Sequence, residues 1–106
     1  MNRFERASIV LLFKKQGCSP CKLAQKNLRE LLLEKEHLGR YIKVMDIEHQ
    51  DALRGVYFLD MFPVALLLDA HGKEIKRTYG GRNLTKQWFE TALTAIKENH
   101  GDELPL

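Results

Sequence analysis

Cysteine is scarce in this chain, with two in 106 residues, Cys18 and Cys21. Two are too few for the multi-bridge framework of a small secreted scaffold. A bond across a C-x-x-C spacing also closes only a tiny loop, so it restrains the unfolded chain little. The spacing therefore points to redox or metal chemistry. A closed zinc site needs four ligands, and the sequence has no second C-x-x-C. His37, His49, His71 and His100 are scattered and form no H-x3–5-H pair. An iron–sulfur cluster would need more thiols than one such chain supplies. The expectation is redox chemistry at Cys18 and Cys21 without a metal.

Long apolar runs are missing as well, and nothing approaches the roughly 20 residues that cross a bilayer. Arg3 and Arg6 precede the apolar stretch Ala7 to Phe13, which faintly resembles a targeting signal. Lys14-Lys15 ends that stretch early, however, and no small-residue cleavage site follows. We read it as a strand and expect a cytoplasmic protein with no membrane partner. Concentrated charge is absent too. Lys and Arg number 17 against 14 Asp and Glu, for a net charge of +3, and the two signs are interspersed. That pattern suits a mixed solvated surface rather than a nucleic-acid-binding face. No repeat or low-complexity tract is visible. The length and the 44% hydrophobic content fit one domain with one core. We place it at residues 1–98, followed by a polar tail, 99–106, expected to fray.

Within the domain, Ser8 to Lys14 is continuous and aliphatic, as in a strand buried on both faces. A helix should open near Ser19-Pro20, because proline is favoured in a first helical turn. Leu23, Ala24, Asn27, Leu28, Leu31 and Leu32 then recur at helical spacing, with Lys22, Lys26, Arg29, Glu30 and Glu34 opposite. Gly39 is the expected cap at its end, with His37 in the last turn. Tyr41 to Ile47 reads as a second strand and Gln50 to Leu59 as a short helix, interrupted or ended around Gly55-Val56-Tyr57. After Phe62-Pro63, Val64 to Leu68 is a third strand. Asp69 to Lys73 turns into a fourth, Glu74 to Tyr79, with Ile75, Arg77 and Tyr79 on one face. Gly80-Gly81 breaks it. Thr85 is the expected N-cap of a last helix whose core stripe is Phe89, Ala92, Leu93 and Ile96, with Trp88 packed beside it. The fold class is α/β: a βαβ unit and then ββα, forming a four-stranded mixed sheet covered by helices.

Three features in this order, Cys18-Ser19-Pro20-Cys21 at a strand-to-helix junction, Phe62-Pro63 before a strand, and Gly80-Gly81 before the last helix, make the chain resemble the thioredoxin superfamily over nearly its whole length. The start of the first strand near residue one, Lys15 and the glycine pair are similar to glutaredoxins. The Ser19-Pro20 dipeptide, the length of the hairpin and Lys43, at the place of a buried lysine, are similar to thioredoxins. Two departures stand out. Gly17 occupies the place of a tryptophan before the first cysteine, and Leu12 or an aliphatic neighbour occupies that of a buried aspartate.

The resemblance implies a thioredoxin fold and a protein-disulfide reductase acting in cell redox homeostasis and electron transport, with a redox-active Cys18–Cys21 disulfide and no tightly bound cofactor. It implies that the Phe62–Pro63 bond is cis and faces the cysteines, so that the Phe62 backbone can pair with an extended substrate. Gly17, Gly80 and Gly81 would border that groove, with Lys15 as a contact for glutathione as co-substrate. The implied partners are disulfide-bonded proteins and an electron donor, either thioredoxin reductase with NADPH or glutathione, acting on a monomer. The remaining alternatives are a glutathione-linked glutaredoxin and a thioredoxin-fold binding module whose cysteines are incidental.

The chemistry also follows from the residues themselves. Exchange requires a thiolate. An ordinary cysteine, with a pKa of about 8.5, is only a few per cent ionised near neutrality. A helix N-terminus favours negative charge, which predicts an acidified Cys18 as nucleophile. Cys21, one turn on and more buried, would resolve the mixed disulfide. Its proton acceptor would be Asp46, Lys43 or water.

Overall fold

A computed structural model describes residues 6–49 and 51–100. Strand β1 spans Ile9–Lys14, and helix α1 spans Ser19–Glu34. A 3₁₀ turn, Glu36–Tyr41, leads into β2, Ile42–Asp46. After α2, Asp51–Val56, come β3, Val64–Leu68, and β4, Glu74–Tyr79, and α3, Lys86–His100, completes the order. The sheet order is β2-β1-β3-β4, with β1 parallel to β2 and antiparallel to β3, and β3 antiparallel to β4. This is the expected mixed sheet.

The aliphatic continuity of β1 and β3 reflects burial on both faces. Val10, Leu12, Ala65 and Leu67 enter one core with α1 and α3. Leu11, Phe13, Val64 and Leu66 enter a second, with Leu53 and Tyr57 from α2 and the turn after it. Phe89, Ala92, Leu93 and Ile96 are fully buried, as the helical spacing predicts. Trp88 is partly buried against the same core and meets Phe89 edge to face. The Trp88 N–H donates to Thr85 Oγ1 at 3.0 Å, the expected N-cap bond. Ion pairs Lys86–Glu34 and Lys35–Glu90 tie α3 to the end of α1.

Four expectations need correction. First, α1 stops at Glu34 and is capped by the Lys35 N–H, which donates to the Leu31 carbonyl at 2.8 Å. His37 and Gly39 belong instead to the following 3₁₀ turn. Second, Leu23 is 42% exposed. It lies beside the Gly80-Gly81 turn rather than under the sheet. Third, a bulge where Leu68 pairs with Glu74 lets β4 carry an extra residue. Ile75 therefore packs on the α1/α3 side while Tyr79 packs on the α2 side. Fourth, Lys43 is exposed on β2, an edge strand, and is not the buried lysine that the resemblance implies.

At the hairpin, Asp69 Oδ1 accepts the N–H groups of His71 and Lys73, each at 2.9 Å. The Lys73 N–H is the main reason that its carboxyl is held below the usual range. Helix α3 continues to His100, two residues past the boundary with the tail read from composition. Residues 101–106, the rest of that tail, lie outside the described residues, as do Arg3 and the side chains of His49 and His100.

Arg77 ties α2 to the sheet. Its guanidinium donates to the Tyr57 carbonyl at 2.7 Å, to Tyr79 Oη at 2.9 Å and to Glu74. This bond from Arg77 is the leading cause that keeps the Glu74 carboxyl below its usual range. The chain just beyond α2, where Phe58 adopts a left-handed φ of 54°, is thus anchored before it reaches Phe62.

Candidate redox site at the start of α1

The site begins where β1 ends. Residues Lys15 to Gly17 turn the chain, with Gly17 at φ 69°, a conformation that glycine adopts freely. Cys18 follows as the N-cap of α1, with Pro20 in the first turn. Its extended backbone lets the Cys18 carbonyl accept the Lys22 N–H at 3.1 Å. Its Sγ accepts the Cys21 N–H, also at 3.1 Å. A side-chain sulfur thus takes the place of the usual capping oxygen.

Cys18 and Cys21 form a disulfide with Cα atoms 5.2 Å apart. Cys18 is 7% exposed and Cys21 only 1%, so an incoming group meets Cys18 first. Ser19 and Pro20, between them, are exposed. Behind Cys21 the core is apolar. Leu12 is fully buried, and among the described residues no polar or charged residue is buried. Asp46 pairs with Lys14 at 3.5 Å and accepts the Glu48 N–H at 3.0 Å.

The Phe62–Pro63 bond is cis. The Phe62 carbonyl oxygen lies 3.8 Å from Cys18 Sγ, so the two segments meet as expected. The Pro63 carbonyl is already engaged, accepting the Gly80 N–H at 2.9 Å. Gly80 has φ 91°, and its carbonyl accepts the N–H groups of Asn83 and Leu84 at 3.2 and 3.1 Å. Gly81 is buried against the start of α1. A Cβ built on it would stand 2.5 Å from the Pro20 carbonyl oxygen. Asn27 on α1 donates to the Leu84 carbonyl at 3.0 Å and locks the same turn to the helix.

Cys18, Cys21, Phe62, Pro63, Gly80 and Gly81 therefore come together. Gly17 borders them on the open side, where a Cβ on it would meet nothing within 4 Å. Lys15 also reaches the site, with its Nζ 5.8 Å from the centre of the Phe62 ring. Two residues were missed in the sequence. Arg54 places its guanidinium 5.4 Å from the same ring, and Arg82 lines a shallow hollow with Pro20, Leu23 and Gly81. Arg54 gave little signal because its helix is short and weakly patterned. Arg82 directly follows the glycine pair, which could have marked it. Among the described residues, no group of three or more His, Cys, Asp or Glu is placed to hold a metal ion. Among them, too, no helix is long and apolar enough to cross a membrane.

No protein-family model and no curated protein sequence matches the chain. Solved structures do. The thioredoxin of Fasciola hepatica superposes with a TM-score of 0.65 at 21% identity, over 88% of this chain and 86% of its own. Thioredoxin 1 of Thermosipho africanus gives 0.57 at 21% identity, over 84% and 90%. Mitochondrial thioredoxin 3 of Saccharomyces cerevisiae, in its oxidised form, gives 0.59 at 16%, over 86% and 81%. With its βαβ–ββα order, mixed sheet and disulfide at the head of α1, the chain has the thioredoxin fold.

Proposed function

We propose that the protein is a dithiol–disulfide oxidoreductase that reduces disulfides in other proteins. The observation that carries this reading is the placement of Cys18. Its sulfur caps α1, accepts a backbone N–H, is the more exposed of the pair and faces the cis Phe62–Pro63 segment. In the reduced protein the same N–H and the helix N-terminus favour the thiolate.

The Cys18 thiolate attacks one sulfur of a client disulfide. A Cys18–client bond forms, and the other client sulfur leaves as a thiolate. Cys21, deprotonated, then attacks Cys18 Sγ. The Cys18–Cys21 bond forms and the second client sulfur is expelled. Protons taken up by the two client sulfurs balance those lost by the two cysteines. Two electrons pass from the protein to the client. Leu12 leaves no buried carboxylate to take the Cys21 proton, so water at the open edge of the site takes it. The Phe62 backbone offers an extended client strand-type pairing beside Cys18. Working as a monomer in the cytoplasm, such a protein would serve electron transport and redox homeostasis. It would be recharged by thioredoxin reductase with NADPH or by glutathione.

The test is to mix pre-reduced protein with a cystine-containing protein and count thiols by alkylation and mass. Two client thiols should appear for each Cys18–Cys21 disulfide formed, and one of the two donors should sustain turnover. Intact client disulfides would contradict the reading. Client binding retained in the Cys18→Ser, Cys21→Ser double variant, with no exchange by the unmodified protein, would favour a binding module.

A further inference from the structure

The surroundings of Cys18 are uneven in charge. Lys15 and Arg54 approach the Phe62 ring from different elements, the turn after β1 and α2, and the carbonyl oxygen of Phe62 lies 3.8 Å from Cys18 Sγ. They line a polar hollow with Asp60 and Met61. A second, more apolar hollow, next to Cys18 in sequence through Ser19 and Pro20, is lined by Leu23, Gly81 and Arg82. Asp60 is the one carboxylate lining either hollow. Elsewhere several cations are matched: Lys14 with Asp46, Arg77 with Glu74, Lys35 with Glu90 and Lys86 with Glu34. Among the described residues, Lys15, Arg54 and Arg82 make no ion pair.

Two cations held against an aromatic ring lose little of their hydration and keep donors facing solvent. Beside a reactive sulfur they raise the local concentration of anionic groups and orient them. Resting on the exchange reading above, we propose that the preferred clients are polypeptide segments with acidic side chains next to the attacked disulfide. Lys15 and Arg54 read the carboxylates beside Phe62. Leu23, 42% exposed, and the Gly81 turn receive an apolar side chain in the second hollow.

The test uses pre-reduced protein and three synthetic peptides of equal length. Each carries one internal disulfide, with Glu, Gln or Lys at the positions flanking it, and second-order reduction rates are measured at low and high salt. The Glu peptide should react fastest and the Lys peptide slowest, over a span of a few-fold to about tenfold that narrows with salt. The Lys15→Glu, Arg54→Glu variant should invert the order, whereas Lys97→Glu, an exposed change on α3, should leave it as it is. Both replaced side chains are exposed, and the peptide series on the unmodified protein reads the preference independently of any variant. Equal rates for the three peptides would overturn the charge preference and leave the exchange reading standing. Reduction of none would remove both. Oxidised glutathione reacting faster than the Glu peptide would overturn the assignment to polypeptides.

Discussion

Replacing Cys21 by serine should turn the exchange into a trap. Cys18 remains at the head of α1, where the Cys21 position still supplies its backbone N–H, so attack on a client proceeds. No second thiol then stands one turn on to displace the client, and the Cys18–client disulfide accumulates in one-to-one amount. Replacing Cys18 should reduce client turnover to background, because Cys21 is 1% exposed and has no path to an incoming disulfide. The measurement is non-reducing electrophoresis and intact mass after incubation with a disulfide client. The Cys21→Ser adduct should be released by dithiothreitol, and Cys18→Ser should form none. An adduct on Cys18→Ser would reverse the assigned roles. These roles follow from unequal burial and from the direction of the helix, which exposes its first N–H groups to Cys18.

Substitution of Gly81 by alanine should damage both the stability of the domain and its rate of exchange. The added Cβ would meet three backbone atoms of Pro20, at 2.5, 3.1 and 3.2 Å. Backbone cannot rotate away as a flexible side chain can, so α1 and the turn must separate. Overpacking of this kind costs about 1–3 kcal/mol, which for a domain of this size lowers Tm by roughly 4–8 °C per kcal/mol. The separation also moves Cys18 relative to Phe62, so a loss in exchange rate of about tenfold or more is expected. Gly17→Ala provides the contrast. Its Cβ would meet nothing, and its cost, about 1 kcal/mol, comes from the φ of 69° alone. Thermal melts and exchange rates of the two variants separate the effects. Melting and rates unchanged in Gly81→Ala would show that the close approach to Pro20 has no consequence.

The parts of the fold legible in the sequence are those set by short-range rules. The two-faced burial of β1 and β3 is written in uninterrupted aliphatic runs. Thr85 and Pro20 mark helix starts because capping and proline geometry act within one turn. The cysteine pair and Phe62-Pro63 were legible as a site because each carries its chemistry in two to four residues. The end of α1 was not. Leu38 and Tyr41 are buried and continue the apolar pattern beyond Glu34, but the chain carries them on a 3₁₀ turn. The β4 bulge changes the side of Ile75 through its pairing with β3, a partner that strand alternation alone cannot include. Lys43 sits on a sheet edge, which follows from strand order and not from local pattern. Arg54 reaches the site only because α2 is folded over the sheet and held there by Arg77. Its role is tertiary in origin.

The account depends on Cys18 being held as a thiolate by the start of α1. The direct measurement is the ultraviolet thiolate absorbance of the reduced protein as a function of pH, with the Cys18→Ser variant as reference. The account predicts one thiol titrating well below the ordinary value of about 8.5, an early step missing from the variant. A single titration near the ordinary value, the same in both proteins, would contradict it.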